Sequence, residues 1–404
     1  MGDDFKRKTP NLTDAQLEEK VLQGIGQVLL QHNKKTSDYD LPRITNQVEF
    51  SYRVFSKLTE SDHSNFEAAY GLLTSGQKNI FDQVENKLRI RHLQNETFKN
   101  VMFIDASGGT GKTTLLNTII VGMLKKGFNE VSIAHSGIAA ILLKNGRTSH
   151  SLLKLPLHLK EFEQQYCNIK KETLEADFLK SIDLFIWDEA TMSSKLAFKC
   201  LDRTLRDLCD CDKLFANKIV LMAGDFRQTL PIVRHGRRED IIRLSIKQSF
   251  IWNDVDMFEL TENLRLGGEA SQKEFAEYLL KIGEDKIEKD ENEEIELQKD
   301  LISKAKSLEE FLDFFYPNDK FTEDNHDQFS NTAILAPLSK DVHELNEVIL
   351  DRLNSKQERT YYSQDTLCND SEIGLDIRVE TLNNENPSGL PHYKLHVRSN
   401  GHSD

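Results

Sequence analysis

The stretch VMFIDASGGTGKTT, residues 101–114, decides the fold. Val101 to Ile104 are an apolar run that predicts a short buried strand. A loop of small residues follows from Ala106 to Gly111. Lys112, Thr113 and the run from Leu115 to Leu124 then predict a helix. Strand, glycine loop and helix in that order are what a phosphate-binding loop requires. Glycines let successive backbone N–H groups turn toward an anion, and the helix N-terminus adds its partial positive charge. In such a loop Lys112 reaches the β- and γ-phosphates and the Thr113 hydroxyl ligates Mg²⁺. The pattern G-x-x-x-x-G-K-[ST] is met except at its first position, where Ala106 stands for glycine and narrows the accessible φ/ψ. The competing reading is a glycine-rich surface turn that happens to precede Lys-Thr.

Downstream, SIDLFIWDEATM (181–192) weighs against that competitor. Ile182 to Trp187 is nearly continuous apolar sequence, as expected of a parallel strand buried on both faces. Asp188 and Glu189 end it, at the ligand edge of an α/β sheet. Asp188 is suited to hold Mg²⁺ directly or through water, and Glu189 to orient and deprotonate an attacking water. A paired-carboxylate helix cap is the bland alternative. KIVLMAGDFRQTLPIV (218–233) repeats the design: an apolar strand, then Gly224 to Gln228, with Pro231 stopping any helix. Gln228 at that edge can sense a γ-phosphate. FELTENLRL (258–266) is another strand-like run ending in Arg265, a candidate arginine finger or a plain surface salt bridge.

Upstream, GLLTSGQKNIFDQVENKL (71–88) predicts a helix capped by Thr74 or Ser75, with Ile80, Phe81, Val84 and Leu88 on its buried side. Gln77 lies in its first turn. A glutamine amide donates and accepts at once, matching N6–H₂ and N7 of adenine; an exposed helix glutamine is the alternative. VSIAHSGIAAILL (131–143) predicts strand, small-residue turn and helix. NGRTSHSLLKLP (145–156) then places Thr148, Ser149 and His150 where a nucleic-acid backbone can approach, with a structural histidine as the other reading of His150.

The 404-residue chain carries a formal charge of −14. Residues 281–330 hold sixteen Asp/Glu against seven Lys/Arg, a net of −9 that leaves −5 for the rest. That balance argues against indiscriminate nucleic-acid binding, although a basic groove can sit on an acidic protein. The five cysteines are odd in number and lack a C-x-x-C pair, so free thiols in a reducing compartment, cytosol or nucleus, are expected. No apolar run reaches about 18 residues, so no membrane association is expected.

Along the remainder, Thr13 or Asp14 begins a predicted helix to Gln31, and 157–180 is helical in pattern. Residues 195–210 predict a helix with a solvated charged face. Residues 332–350 predict a strand, a turn and an amphipathic helix opening a second α/β unit. The expected organisation is an N-terminal accessory segment over 1–64, a nucleotide-binding α/β domain over 65–265 and a partial second α/β domain over 266–404. Oligomeric state has no sequence signal.

The order SGGTGKT, SGIAA…GRTSHS, IWDEA, GDFRQTLPIV, LTENLR resembles the Pif-type (petite integration frequency) DNA helicases, relatives of RecD, and more narrowly the branch encoded by Helitron transposons. The resemblance runs from about residue 12 to 397. It implies an α/β fold, a P-loop NTPase (RecA-like) parallel sheet with flanking helices, plus an incomplete second RecA-like lobe. It implies ATP and Mg²⁺ as cofactors, with Gln77, Gly108, Gly109, Thr110, Gly111, Lys112, Thr113 and Thr114 on the nucleotide, and Thr113 and Asp188 on the metal. Lys112, Asp188, Glu189, Gln228 and Arg265 would carry the chemistry, and Ser136, Gly137, Thr148 and His150 would lie on single-stranded DNA. The implied activity is 5′→3′ ATP-dependent DNA unwinding in repair, recombination, telomere maintenance or Helitron transposition, in the nucleus. Two further family motifs, one with a second ATP-facing arginine, would follow where this chain stops. The expectation is therefore a C-terminally truncated member with firm ATP binding and weakened turnover, or an ATP- and DNA-binding remnant that does not unwind.

Overall fold

The computed structural model describes residues 59–91, 98–156, 159–233, 236–266, 270–317, 332–352, 357–363, 383 and 393–399. The helix expected to end at Gln31, and the rest of the accessory segment up to residue 58, lie outside them. The chain divides into two compact units, Met1–Ile287 and Glu288–Asp404.

In chain order the first unit contains α1 (Glu60–Leu72), α2 (Ser75–Ile90), β1 (Val101–Ala106), α3 (Lys112–Lys125), β2 (Glu130–Ala134), α4 (Gly137–Leu142), β3 (Arg147–Thr148) and α5 (Ser149–Leu153). It continues through α6 (Leu174–Ser181), β4 (Leu184–Asp188), α7 (Lys195–Cys209), β5 (Ile219–Gly224), α8 (Arg238–Leu244), β6 (Val255–Leu260) and α9 (Ala270–Gly283). The six strands form one sheet in the order β3-β2-β4-β5-β1-β6, and every neighbouring pair is parallel.

Alternation along each strand sorts side chains to two cores. Phe103, Val131, Ile133, Phe185, Trp187, Val220 and Met222 face one side and pack against Leu179 of α6 and Phe198, Leu201 and Leu205 of α7. Met102, Ile104, Leu184, Ile186, Ile219 and Leu221 face the other, against Ile80, Phe81, Val84 and Leu88 of α2 and Leu115, Leu116, Ile119 and Ile120 of α3. Burial on both faces explains the unbroken apolar strands, each such side chain contributing about 1.5–3 kcal/mol.

In the first unit two sequence expectations change. Residues 159–173 are turns and bends, and the helix starts only at Leu174. That segment offers no apolar stripe. Its backbone is instead pinned by Cys167 N–H to Thr204 Oγ1 at 2.8 Å, and Thr173 caps α6 by accepting from Ala176 N–H. α7 is more buried than its charges suggest, with Leu196, Ala197, Phe198, Cys200, Leu201, Leu205 and Leu208 all in the core. The four described cysteines are free thiols, as expected.

The described residues of the second unit hold α10 (Leu308–Phe315), α11 (Ser339–Arg352) and an antiparallel pair, β7 (Gln357–Tyr362) with β8 (Lys394–Ser399). Arg352 donates to Asp313 Oδ1 at 2.7 Å and to the Tyr316 carbonyl at 3.0 Å, tying the end of α11 to α10. The strand expected at the start of 332–350 does not form. Residues 332–336 join no ladder, and Leu335 is exposed.

Candidate nucleotide site

Between β1 and α3 the loop runs from Ser107 to Gly111. The Thr110 hydroxyl and N–H both donate to the Ser107 carbonyl, which closes the turn. Gly109 (φ +88°) and Gly111 (φ +74°) sit in the left-handed region. A Cβ at Gly109 would come within 2.4 Å of Asn263 Oδ1, and one at Gly111 within 2.8 Å of Gln77 Nε2. Both positions therefore need glycine for conformation and for space. Gly108, by contrast, faces open space. Gly111 also leaves α3 without a side-chain cap. Each of the other six helices between residues 60 and 209 has one, from Thr59, Thr74, Ser136, Thr148, Thr173 and Ser194. Unfilled donors at Lys112, Thr113 and Thr114 and the helix dipole mark this end for an anion.

The sheet places β4 two strands from β1, and the C-terminal residues of β4 face the same loop. Lys112 Nζ lies 2.8 Å from Asp188 Oδ1 and 2.6 Å from Glu189 Oε1. Burial opposes the lysine charge, but the two carboxylates outweigh it and hold the Lys112 pKa above its ordinary value. Glu189 is left-handed (φ 50°, ψ 39°), its N–H donates to Asp188 Oδ1, and its Oε2 is buried with no hydrogen-bond partner. A left-handed non-glycine residue costs about 1–2 kcal/mol, so the chain holds this carboxylate against strain. The residues fit Mg²⁺ carried on a phosphate chain. Thr113 and Asp188 would supply oxygens, and such sites take one or two carboxylates and complete the shell with phosphate and water. Among the described residues no cluster of three or more His, Cys, Asp or Glu would hold a metal unaided.

Gln77 is 2% exposed, and both ends of its amide are bonded. Its Oε1 accepts from Thr74 N–H in the cap of α2, and its Nε2 donates to the Thr110 carbonyl at 3.0 Å. Gln228 is exposed on the loop after β5, with Nε2 3.3 Å from Asp225 Oδ2. Arg265 is exposed after β6, its N–H on Asn263 Oδ1. Ser136, Gly137, Thr148 and His150 cluster at the ends of β2 and β3, away from the loop. The Ser136 and Thr148 hydroxyls cap α4 and α5, Gly137 faces open space, and His150 is exposed.

The family model described as PIF1-like helicase matches residues 72–293, more than half the chain. The chain belongs to the PIF1-like helicase family. A Psychrobacter ATP-dependent DNA helicase Pif1 is 30% identical over 141 residues, covering 35% of this chain and 21% of that protein. A Candida albicans Pif1 helicase structure superposes with TM-score 0.52 at 18% identity, covering 81% of this chain and 63% of that one. A Bacteroides Pif1 bound to ssDNA gives TM-score 0.50 at 20% identity, covering 81% and 63%. These two structures share the fold. The PIF1-like chain spans about a fifth of the length of its Psychrobacter relative.

Four residues around this PIF1-like site were missed in the sequence. Asn263 and Leu264 touch the phosphate loop. Register explains it, because β6 pairs β1 with Leu260 opposite Ala106, so the residues after β6 run beside Ser107 to Gly111. Arg227 draws together Asp105, Asp225 and Glu284. His135 closes β2, and its Nδ1 lies 3.2 Å from Ser193 Oγ, which also accepts from Trp187 Nε1. Burial, then the neighbouring His150, pushes the His135 pKa down. A polar residue directly after an apolar strand was the available signal for His135. Nothing local announced the other three.

Proposed function

We propose that this chain binds and hydrolyses ATP as the motor of a PIF1-like DNA helicase that tracks 5′→3′ on single-stranded DNA. The observation that carries the reading is the uncapped start of α3, facing Asp188 and Glu189 with Lys112 between them. A triphosphate entering there offers Lys112 a denser anion than the two carboxylates. Lys112 turns to the β- and γ-phosphates while the backbone N–H groups of the loop cradle them. That exchange frees Asp188 and Glu189. Thr113 and Asp188 would hold a Mg²⁺, which would supply charge neutralisation at the phosphates. Glu189 takes a proton from water as that water attacks the γ-phosphorus. The bond to the ADP oxygen breaks, leaving ADP and inorganic phosphate. The unpartnered Glu189 Oε2 is the available acceptor. Gln228 senses the γ-phosphate from the end of β5, and Arg265 meets the charge that develops there.

Single-stranded DNA is proposed to lie along Ser136, Gly137, Thr148 and His150. What supports this is family membership and the exposure of Gly137 and His150 at one sheet edge. Repair, recombination, telomere maintenance or Helitron transposition, and a nuclear location, belong to the same proposal. The test uses purified chain with Lys112→Ala and Glu189→Gln. The first should abolish binding of a fluorescent ATP analogue. The second should retain binding while phosphate release falls to background. Equal binding by parent and Lys112→Ala would refute the site.

A further inference from the structure

The loop after β5 holds an arginine that meets three carboxylates at once. Arg227 Nη1 lies 3.1 Å from Asp225 Oδ1 and 3.3 Å from Asp105 Oδ1, and its Nη2 lies 3.3 Å from Glu284 Oε1. Each carboxylate belongs to a different element. Asp105 is the penultimate residue of β1, next to the phosphate loop. Asp225 follows β5 and is 3% exposed. Glu284 directly follows α9 and prolongs it by donating its N–H to the Leu280 carbonyl. The approach is close, since a Cβ on Gly283 would sit 3.2 Å from Arg227 Cβ. Only a planar fork with several donors can serve three acceptors in three directions.

Asp225 is shared. Its Oδ1 takes the Arg227 N–H and Nη1, and its Oδ2 takes Gln228 Nε2 at 3.3 Å. Any movement of Gln228 therefore changes how much of Asp225 is left for Arg227. Three residues past Glu284 the first unit ends at Ile287.

We propose that Arg227 is a positioning residue that passes the state of Gln228 to the end of α9, where the chain leaves the first unit. The proposal rests on the nucleotide reading above. A γ-phosphate draws the Gln228 amide off Asp225. The carboxylate then holds the guanidinium with its full charge, and Arg227 gives up Glu284, which keeps Lys286 at 2.6 Å. The last turn of α9 loosens as nucleotide binds.

The experiment is amide hydrogen exchange over residues 278–287 of the full chain, with and without the non-hydrolysable analogue AMP-PNP and Mg²⁺. Binding is followed separately with a fluorescent nucleotide. In the parent, exchange in this segment should rise at least threefold on binding. Arg227→Gln and Glu284→Gln should exchange faster without nucleotide, still bind it within about threefold of the parent, and show no further response. Arg227→Lys should recover part of the response. Glu284→Gln leaves the contacts to Asp105 and Asp225 in place, so it reports the α9 arm even if Arg227→Gln fails to fold. Binding in the parent with unchanged or slower exchange overturns the proposal alone, as does a full response in both variants. No binding in the parent overturns the proposal and the nucleotide reading together.

Discussion

Leu264 donates its backbone N–H to the carbonyl of Gly109 at 2.8 Å, a bond between the tail of β6 and the centre of the phosphate loop. The Leu264 side chain also closes on Gly111, where an added Cβ would meet its Cδ1 at 3.0 Å. The loop is thus shaped from outside by residues some 150 positions later in the chain.

Gly109→Ala should therefore fail twice, by its left-handed φ and by collision with Asn263. The conformational part alone is worth about 1–2 kcal/mol. A lowered melting temperature and at least tenfold weaker binding of a fluorescent ATP analogue are expected. Adding Asn263→Ala should return part of both, because it removes the colliding oxygen and leaves the φ penalty. A double variant no better than the single one would show that the collision is unimportant.

Gln77 gives a second prediction. Its amide joins the cap of α2 to the Thr110 carbonyl, so it steadies the loop whatever base is bound. Gln77→Ala should weaken ATP and GTP alike, by about 1–2 kcal/mol, the cost of leaving a buried carbonyl unpaired. Competition titrations with the two nucleotides decide it. A loss confined to ATP would return Gln77 to the adenine-reading role.

Backbone strain at Glu189 can be isolated by comparing two variants that both delete the carboxylate. Glu189→Gly should be more stable than Glu189→Ala by about 1–2 kcal/mol, since glycine accepts the left-handed conformation that alanine resists. Denaturant unfolding measures the difference, and both variants should lack ATP turnover. Equal stabilities would mean that the loop relaxes freely once the side chain is gone.

Glu130 opens β2 and is buried at 4% exposure. Burial raises its pKa from the ordinary 4.5 to about 7, with the Ser132 hydroxyl pulling the other way. The folded chain therefore holds this proton over a range where the unfolded chain has lost it. Below pH 4.5 the group costs nothing; as pH rises through 7 the penalty grows toward about 3 kcal/mol. Glu130→Gln should accordingly be close to neutral at pH 5 and stabilising at pH 8. Thermal melts across that range check it, and a pH-independent difference would exclude burial of a titrating carboxyl.

The parts of the site legible in sequence are those whose partners are close along the chain. The phosphate loop, the carboxylates ending β4 and the glutamine after β5 each follow an apolar strand by one to four residues, and a parallel sheet gathers such strand ends along one edge. What could not be read depends on strand order. Nothing within 258–266 says that β6 will lie beside β1, so the contacts of Asn263 and Leu264 were invisible. The Arg227 cluster unites positions 105, 225 and 284. The caps at Thr74 and Thr173 were set by local chemistry, yet only Thr74 was anticipated, because Thr173 lies in a polar run without periodicity.

The position of β1 has a consequence for how the unit comes into being. It is the earliest of the six strands to leave the ribosome, yet its neighbours β5 and β6 follow about 120 and about 150 residues later. A nascent chain that has reached only α7 exposes both edges of an apolar strand and has no working cradle for an anion. The strand made first is enclosed last. Protection of the newly made chain by chaperones should then matter most over this interval, and nucleotide, which can bind only after β6 docks, would act as a seal on the finished unit.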